Sequence, residues 1–209
     1  PDLDASQMHI YLVNAVDRLL SAMDPASSAR AERDLKALHV HIRQPQFATE
    51  YKDGVLKTSA GLEIPTETVI WVSGICANHI DGLPEDSIGH AGRILTDRFC
   101  QVKGLQDVYA IGDQSLVEGD EEYPLGHPQL AQVAMQQAKT VAKNLKAIAK
   151  GEEPKPFKYK NLGVMETIGR NQAVAEIAGK QFGGFPAWAL WLIVHLRSIL
   201  GVKNKTFIL

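Results

Sequence analysis

Val108-Tyr109-Ala110-Ile111-Gly112-Asp113 is the stretch on which the fold turns. Four residues of strand character end in a glycine and an acid. After a polar loop, residues 128–148 carry Leu130, Val133, Ala134, Val141, Leu145 and Ile148 at mostly helical spacing, with no Gly or Pro after Pro128, which predicts a long helix. A strand that stops at Gly-Asp, followed by a helix with free N-terminal N–H groups, is how open α/β sheets build a ligand crevice at their carboxyl edge. Glycine lets a ligand approach the backbone, and Asp113 can accept hydrogen bonds from sugar-like hydroxyls. Alone, Gly112 and Asp113 also fit an ordinary strand-to-turn junction; the helix that follows favours the crevice.

Upstream, residues 9–13 and 40–42 read as strands flanking a helix that begins at Pro25 and runs to about Leu38. Strand, helix and strand at that spacing make a βαβ unit and imply a parallel sheet with helical cover. Residues 51–58 and 61–65 suggest a small antiparallel insertion around turn residues. Thr68-Val69-Ile70-Trp71-Val72, the most β-prone run of the chain, predicts a further strand ending in Ser73-Gly74. Arg93 to Asp97 predicts another. Gly151-Glu152-Glu153-Pro154-Lys155-Pro156 is a polar breaker and the best boundary in the sequence. Beyond it, residues 159–168 look extended, residues 171–177 mixed, and residues 185–200 strongly apolar.

The 209 residues are 45% apolar and 22% charged, enough to bury a core. A net charge of −2 gives no overall drive toward nucleic acid. The two cysteines, Cys76 and Cys100, have neither CxxC spacing nor a ligand cluster around them, so a metal site is not expected and both read as reduced, mostly buried thiols. The chain opens on Pro1-Asp2-Leu3-Asp4, with no initiator Met and no leader pattern, so it is expected to begin elsewhere than at a natural start. Its apolar tail, residues 185–196, is interrupted only by His195 and is shorter than the roughly 20 residues a spanning helix needs. Trp188, Trp191 and His195 fall at helical spacing as an aromatic-polar stripe, flanked by Lys180, Arg197, Lys203 and Lys205. That pattern suits a membrane surface; a buried or dimer-contact helix is the alternative.

Gln132 and Gln136 stand four apart on the predicted long helix, so both amides could face one bound molecule. Two solvated glutamines on an amphipathic helix is the plainer alternative. Taken in order, Gly92-Arg93-Ile94-Leu95-Thr96-Asp97, the Gly112-Asp113 strand, Leu130-Ala131-Gln132-Val133-Ala134-Met135-Gln136, Met165-Glu166-Thr167-Ile168-Gly169-Arg170-Asn171, and Phe182-Gly183-Gly184-Phe185-Pro186-Ala187-Trp188 with Trp191 resemble the type II NADH dehydrogenases, flavoproteins with two dinucleotide-binding domains. The resemblance runs from His9 onward. It implies an α/β chain made of partial FAD/NAD(P)-binding Rossmann-like domains followed by a C-terminal membrane-anchoring segment: residues 1–82 from the NADH domain, 83–150 from the FAD domain, and 151–209 for membrane association.

What the resemblance implies for function is electron transfer from NADH through FAD to a membrane quinone, without proton pumping. Gly112, Asp113, Ala131 and Gln132 would bind FAD, with Asp113 on the ribityl chain; Gln132 and Gln136 would line a quinone channel; Asn14, Trp71 and Gly74 would face NADH. Asn14 replaces the acid that many relatives place against the adenine ribose, which leaves the choice between NADH and NADPH open. Leu162 stands where relatives often have Lys. No GxGxxG occurs, so the chain is expected to be the C-terminal half of such an enzyme. Peripheral attachment at the cytoplasmic face of the inner membrane through residues 182–205, and a homodimer, are further expectations. A soluble disulfide-reductase-like flavoprotein and a membrane-anchoring or dimer-contact module remain the rival readings.

Overall fold

The computed structural model describes residues 7–198. Pro1 to Asp4, Leu200, Lys203 and Lys205, and the expectations attached to them, lie outside the described residues. The chain divides into two units, Pro1–Ile70 with Leu162–Leu209, and Trp71–Asn161. Both boundaries expected from the sequence, at 82/83 and 150/151, fall inside the second unit.

The first unit opens with the expected βαβ. β1 (Ile10–Val13) pairs in parallel with β2 (Val40–Arg43), in register from Ile10 opposite Val40 to Val13 opposite Arg43. Between them α1 (Pro25–Ala37) starts at an Asp24 N-cap whose carboxylate accepts the Ala26 N–H at 2.8 Å, with Pro25 in the first turn, where its missing N–H costs nothing. The antiparallel insertion is β3 (Ala48–Lys52), β4 (Val55–Thr58) and β5 (Glu63–Pro65). Its first hairpin turns on Asp53-Gly54, both in the left-handed region that tight hairpins use.

The tail belongs to this unit. After β6 (Ile94–Thr96) and β7 (Ser115–Val117), which lie in the second unit, β8 (Val164–Gly169), β9 (Gln172–Ile177) and β10 (Lys180–Gly184) form an antiparallel meander with β9 in the middle. α3 (Phe185–Ser198) follows. Both α1 and α3 pack on β9. Because successive side chains alternate between faces, Ala173 and Ala175 meet Ala187 of α3 while Val174 points the other way. All three β9 residues are wholly buried. Small side chains let the helix backbone come close to the strand. Glu176 accepts the Asp24 N–H at 2.7 Å and ties the start of α1 to β9.

In the second unit β6 (Ile94–Thr96) pairs in parallel with β7 (Ser115–Val117), and α2 (Ala131–Ile148) brings Val133 and Val141 against Val117 of β7. Cys100, Val117, Val133, Val141 and Phe157 form the main core, with Tyr109, Leu130 and Tyr159 against it. α2 ends where the sequence placed it, but it starts at Ala131, after the loop residues Pro128 to Leu130.

Two predicted strands are not formed. Residues 68–72 run without ladder partners among the described residues, and Ile70, Trp71 and Val72 are 79%, 68% and 84% exposed. β-Branched side chains favour a pleated, half-buried surface, and no neighbour supplies one here. The run from Val108 to Ile111 turns back on its own loop instead of lengthening the parallel pair. Tyr109 bridges Gln101, the Val102 N–H reaches Val108 O at 2.8 Å and the Ala110 N–H reaches Cys100 O at 3.0 Å. The parallel partner of β6 is the buried Ser115–Val117, beyond the Gly-Asp pair.

Candidate functional site

The site grows from Gly112. A single 3₁₀ turn, Gly112–Gln114, joins the run ending at Ile111 to β7. Gly112 has φ +69°, and a Cβ there would lie 3.2 Å from the Ala134 Cβ of α2. Glycine thus serves twice, adopting the left-handed conformation and letting the helix close against the turn. Its N–H donates to the Gln137 side-chain oxygen at 2.6 Å. One residue on, the Asp113 carbonyl accepts from Gln129 Nε2 at 3.1 Å. The turn is therefore pinned on both sides of Asp113, whose carboxylate is exposed and accepts no hydrogen bond among the described residues.

Beside it, α2 begins at Ala131 after the N-cap Leu130, with no side-chain cap and no acid in the first turn. The N–H groups of Ala131 and Gln132 lie in the first turn of a helix, where no intrahelical carbonyl is available. An exposed carboxylate next to an uncapped helix start can hold the hydroxyls and the carbonyl edge of one ligand together. Gln132 is half-buried at this end.

Gln136, one turn further along α2, takes main chain as its partner. Its Nε2 donates to Lys160 O at 2.9 Å and its Oε1 accepts the Lys160 N–H at 3.0 Å. Residues 157–160 join no ladder among the described residues: the Phe157 N–H donates to Arg98 O at 2.7 Å, and the Lys160 main chain takes the Gln136 amide. Asn144 repeats the grip on Lys155.

Trp71 and Gly74 lie in the exposed loop that opens this unit. Nothing lies within 4 Å of where a Gly74 Cβ would be. Gln114 Nε2 donates to Asn78 O at 3.3 Å and links that loop to the Gly-Asp turn. Asn14 belongs to the other unit, at the carboxyl end of β1. Its amide nitrogen donates to Val16 O at 2.8 Å and to Gln44 Oε1 at 3.3 Å; the side chain braces the loop that follows its strand.

Buried polar groups underlie the turn. Arg93 donates through Nη2 to Ser115 O and, at 3.1 Å, to His127 O. Burial lowers its pKa, and the Asp113 charge opposes that. His127 is wholly buried, its Nε2 lying 3.0 Å from Asp120 Oδ2. Tyr123, Phe157 and Tyr159 surround the ring at centroid distances of 4.9, 5.1 and 5.7 Å. Burial pulls the imidazole below its usual pKa against the pull of Asp120. In neutral His127 a proton on Nε2 lets that nitrogen donate to the Asp120 carboxylate, and Nδ1 has no partner among the described residues.

Gln137, Arg93 and His127 were not picked out as site residues from the sequence. For Gln137 a signal existed: it stands midway between Val133 and Val141 in the apolar i, i+4, i+8 stripe. Cys76 is exposed, not buried as expected, while Cys100 is buried with its thiol pushed up to about 12, mainly by desolvation. Among the described residues no group of three or more His, Cys, Asp or Glu could hold a metal ion.

Residues 3–138 match the model of the pyridine nucleotide-disulphide oxidoreductase family. The chain belongs to that family. Among curated relatives it is 32% identical to the type II NADH:quinone oxidoreductase Ndh of Mycobacterium tuberculosis, over 97% of this chain and 45% of the relative. It is 30% identical to NdhA of the same organism, over 96% of this chain and 44% of the relative. The chain thus spans less than half the length of these oxidoreductases. In structure it resembles NDH2 from Plasmodium falciparum in complex with NADH, with a TM-score of 0.83 at 14% identity, over 95% of this chain and 56% of that one. At that identity the likeness speaks for the fold alone.

Proposed function

We propose that this chain is the flavin-edge and quinone-facing part of an NADH:quinone oxidoreductase. The observation that carries the reading is the pairing of the exposed, pinned Asp113 carboxylate with the uncapped start of α2 beside Gly112. These residues fit FAD: Gly112 makes the turn that presents Asp113, Asp113 accepts ribityl hydroxyls, and the N–H groups around Ala131 and Gln132 meet the pyrimidine carbonyl edge. Bound FAD supplies the redox chemistry, taking electrons from NADH and delivering two to a quinone without proton pumping; the protein supplies position and electrostatics. Gln132 borders the quinone path, and Gln136 holds residues 157–160 as its wall. Trp71 and Gly74 face the nicotinamide.

The rival reading, a soluble disulfide reductase, needs a reactive cysteine pair. Cys76 is exposed and Cys100 is buried with its thiol pushed up to about 12, and the two readings are separated by the acceptor, quinone or disulfide.

The second proposal concerns the tail. No helix among the described residues is long and apolar enough to cross a membrane. α3 nonetheless exposes Phe185 and Ile193, 60% and 63% accessible, together with Val194. The expected stripe is divided: Trp188 packs against the β9 alanines, while Trp191 stacks on His195 at 4.2 Å. Residues 182–205 then rest on the cytoplasmic face of the inner membrane as a peripheral anchor, and a homodimer is proposed with it.

The test is purification of the full-length polypeptide. Visible flavin absorbance, with NADH oxidation supported by quinone and not by a disulfide, is expected. A colourless protein, or one active with disulfide alone, would overturn the reading.

A further inference from the structure

Gln137 sits where an apolar residue belongs. It is 1% exposed and flanked one turn either way on α2 by the buried Val133 and Val141. Its amide can make up to four hydrogen bonds. Among the described residues one is formed, Oε1 accepting the Gly112 N–H at 2.6 Å, while Nε2 is buried with no partner there. Burying an amide with its donors unpaired costs stability, and a methionine of similar length would fill the same space without that cost. Packing therefore gives no reason for a glutamine at this position. Its one hydrogen bond does.

The Gly112 N–H lies at the pivot of the Gly112–Gln114 turn, and Gly112 alone of the three has a positive φ. Without an acceptor from the helix, this flexible residue would lose the contact that orients the next one. With it, Asp113 is held between two anchors, the Gln137 oxygen on its N-terminal side and Gln129 Nε2 on its own carbonyl.

We infer that Gln137 is a positioning residue, which acts through the Gly112 N–H to hold the Asp113 carboxylate in the direction that receives the ribityl hydroxyls of FAD. This rests on the flavin reading proposed above and adds to it the buried residue that sets the site's geometry. Gln137 touches no reacting atom.

The test uses the full-length protein stripped of flavin and titrated with FAD at about pH 6, with thermal melts of each apoprotein alongside. Gln137→Met removes the acceptor and the unpaired donor together, and Gln137→Glu keeps an acceptor oxygen; near pH 6 burial keeps that carboxyl neutral. Gln137→Met is expected to weaken FAD binding about tenfold, the weight of one lost hydrogen bond, without lowering the apoprotein's melting temperature. Gln137→Glu is expected to recover affinity to within about threefold of wild type. A Met variant that binds FAD within about twofold of wild type overturns the inference. So does a Glu variant no better than Met, or an affinity loss matched by a fall in apoprotein stability. A wild-type protein that takes up no FAD overturns the flavin reading itself, before either variant is compared.

Discussion

Asn144 holds the backbone of Lys155 from both sides, its Nδ2 donating to the carbonyl at 2.8 Å and its Oδ1 accepting the N–H at 2.9 Å. Gln136 repeats the arrangement on Lys160, two helical turns earlier. The two amides fasten the chain leaving α2 along the helix it has just left, where a neighbouring strand would otherwise provide the ladder. Asn144 is buried and Gln136 is half-buried. Asn144→Ala should therefore cost about 2 kcal/mol, since two part-buried hydrogen bonds to the Lys155 main chain are lost at once. Gln136→Ala should cost about 1 kcal/mol, because water can replace the amide. Chemical denaturation of the two variants checks the ranking, and equal losses would contradict it.

His127 predicts the direction of a pH effect. Its folded-state pKa is lowered, chiefly by burial and in part by Arg93, against Asp120 and Glu122. Below its unfolded pKa of about 6.5 the unfolded chain binds a proton that the folded chain refuses, so stability falls as pH falls through that value toward the folded pKa. His127→Phe, which suits a pocket made by Tyr123, Phe157 and Tyr159, should flatten that decline relative to wild type. Melting temperatures of both proteins between about pH 7.5 and 5 test it. Parallel curves would show that His127 does not carry the effect.

The cysteines should divide cleanly. Cys76 is exposed, and Cys100 is buried with a thiol pushed up to about 12. Thiolate is the reactive form. A maleimide added to the native protein should modify Cys76 and spare Cys100 until denaturant is present, as peptide mass mapping would show. Native labelling of Cys100 would mean that its core opens readily.

Local signals made much of this fold legible. Pro25 after the Asp24 cap marked the start of α1, and the unbroken apolar period of residues 130–148 marked α2. What the sequence did not disclose were properties of partners. Residues 68–72 have strand composition but no ladder, and the true neighbour of β6 is the three-residue Ser115–Val117, too short to leave a periodic trace. At the site, Gly112 and Asp113 were legible because turn chemistry is local. The roles on α2 were less so. Neighbouring helical residues point about 100° apart, so Gln136 and Gln137, adjacent in sequence, serve different tasks. Gln137 stands out only as the polar interruption of a buried stripe.

For the tail, the anchoring proposal predicts that the exposed side of α3 matters and its packed side does not touch lipid. Phe185→Asp with Ile193→Asp should lower partitioning of the full-length protein onto anionic vesicles by at least about tenfold, given about 1.5–3 kcal/mol per buried apolar side chain. Cosedimentation reads the outcome. Unchanged partitioning would place the contact elsewhere.

The central claim is that the Gly112-Asp113 turn and the start of α2 form a flavin site, and the most direct measurement is the affinity of the full-length apoprotein for FAD with and without the Asp113 carboxylate. Wild type should bind one FAD per chain, and Asp113→Ala should bind it at least about tenfold more weakly, a charge-assisted hydrogen bond being worth about 1.5–3 kcal/mol. A wild-type chain that takes up no FAD, or an Asp113→Ala variant that binds as tightly as wild type, would contradict the account.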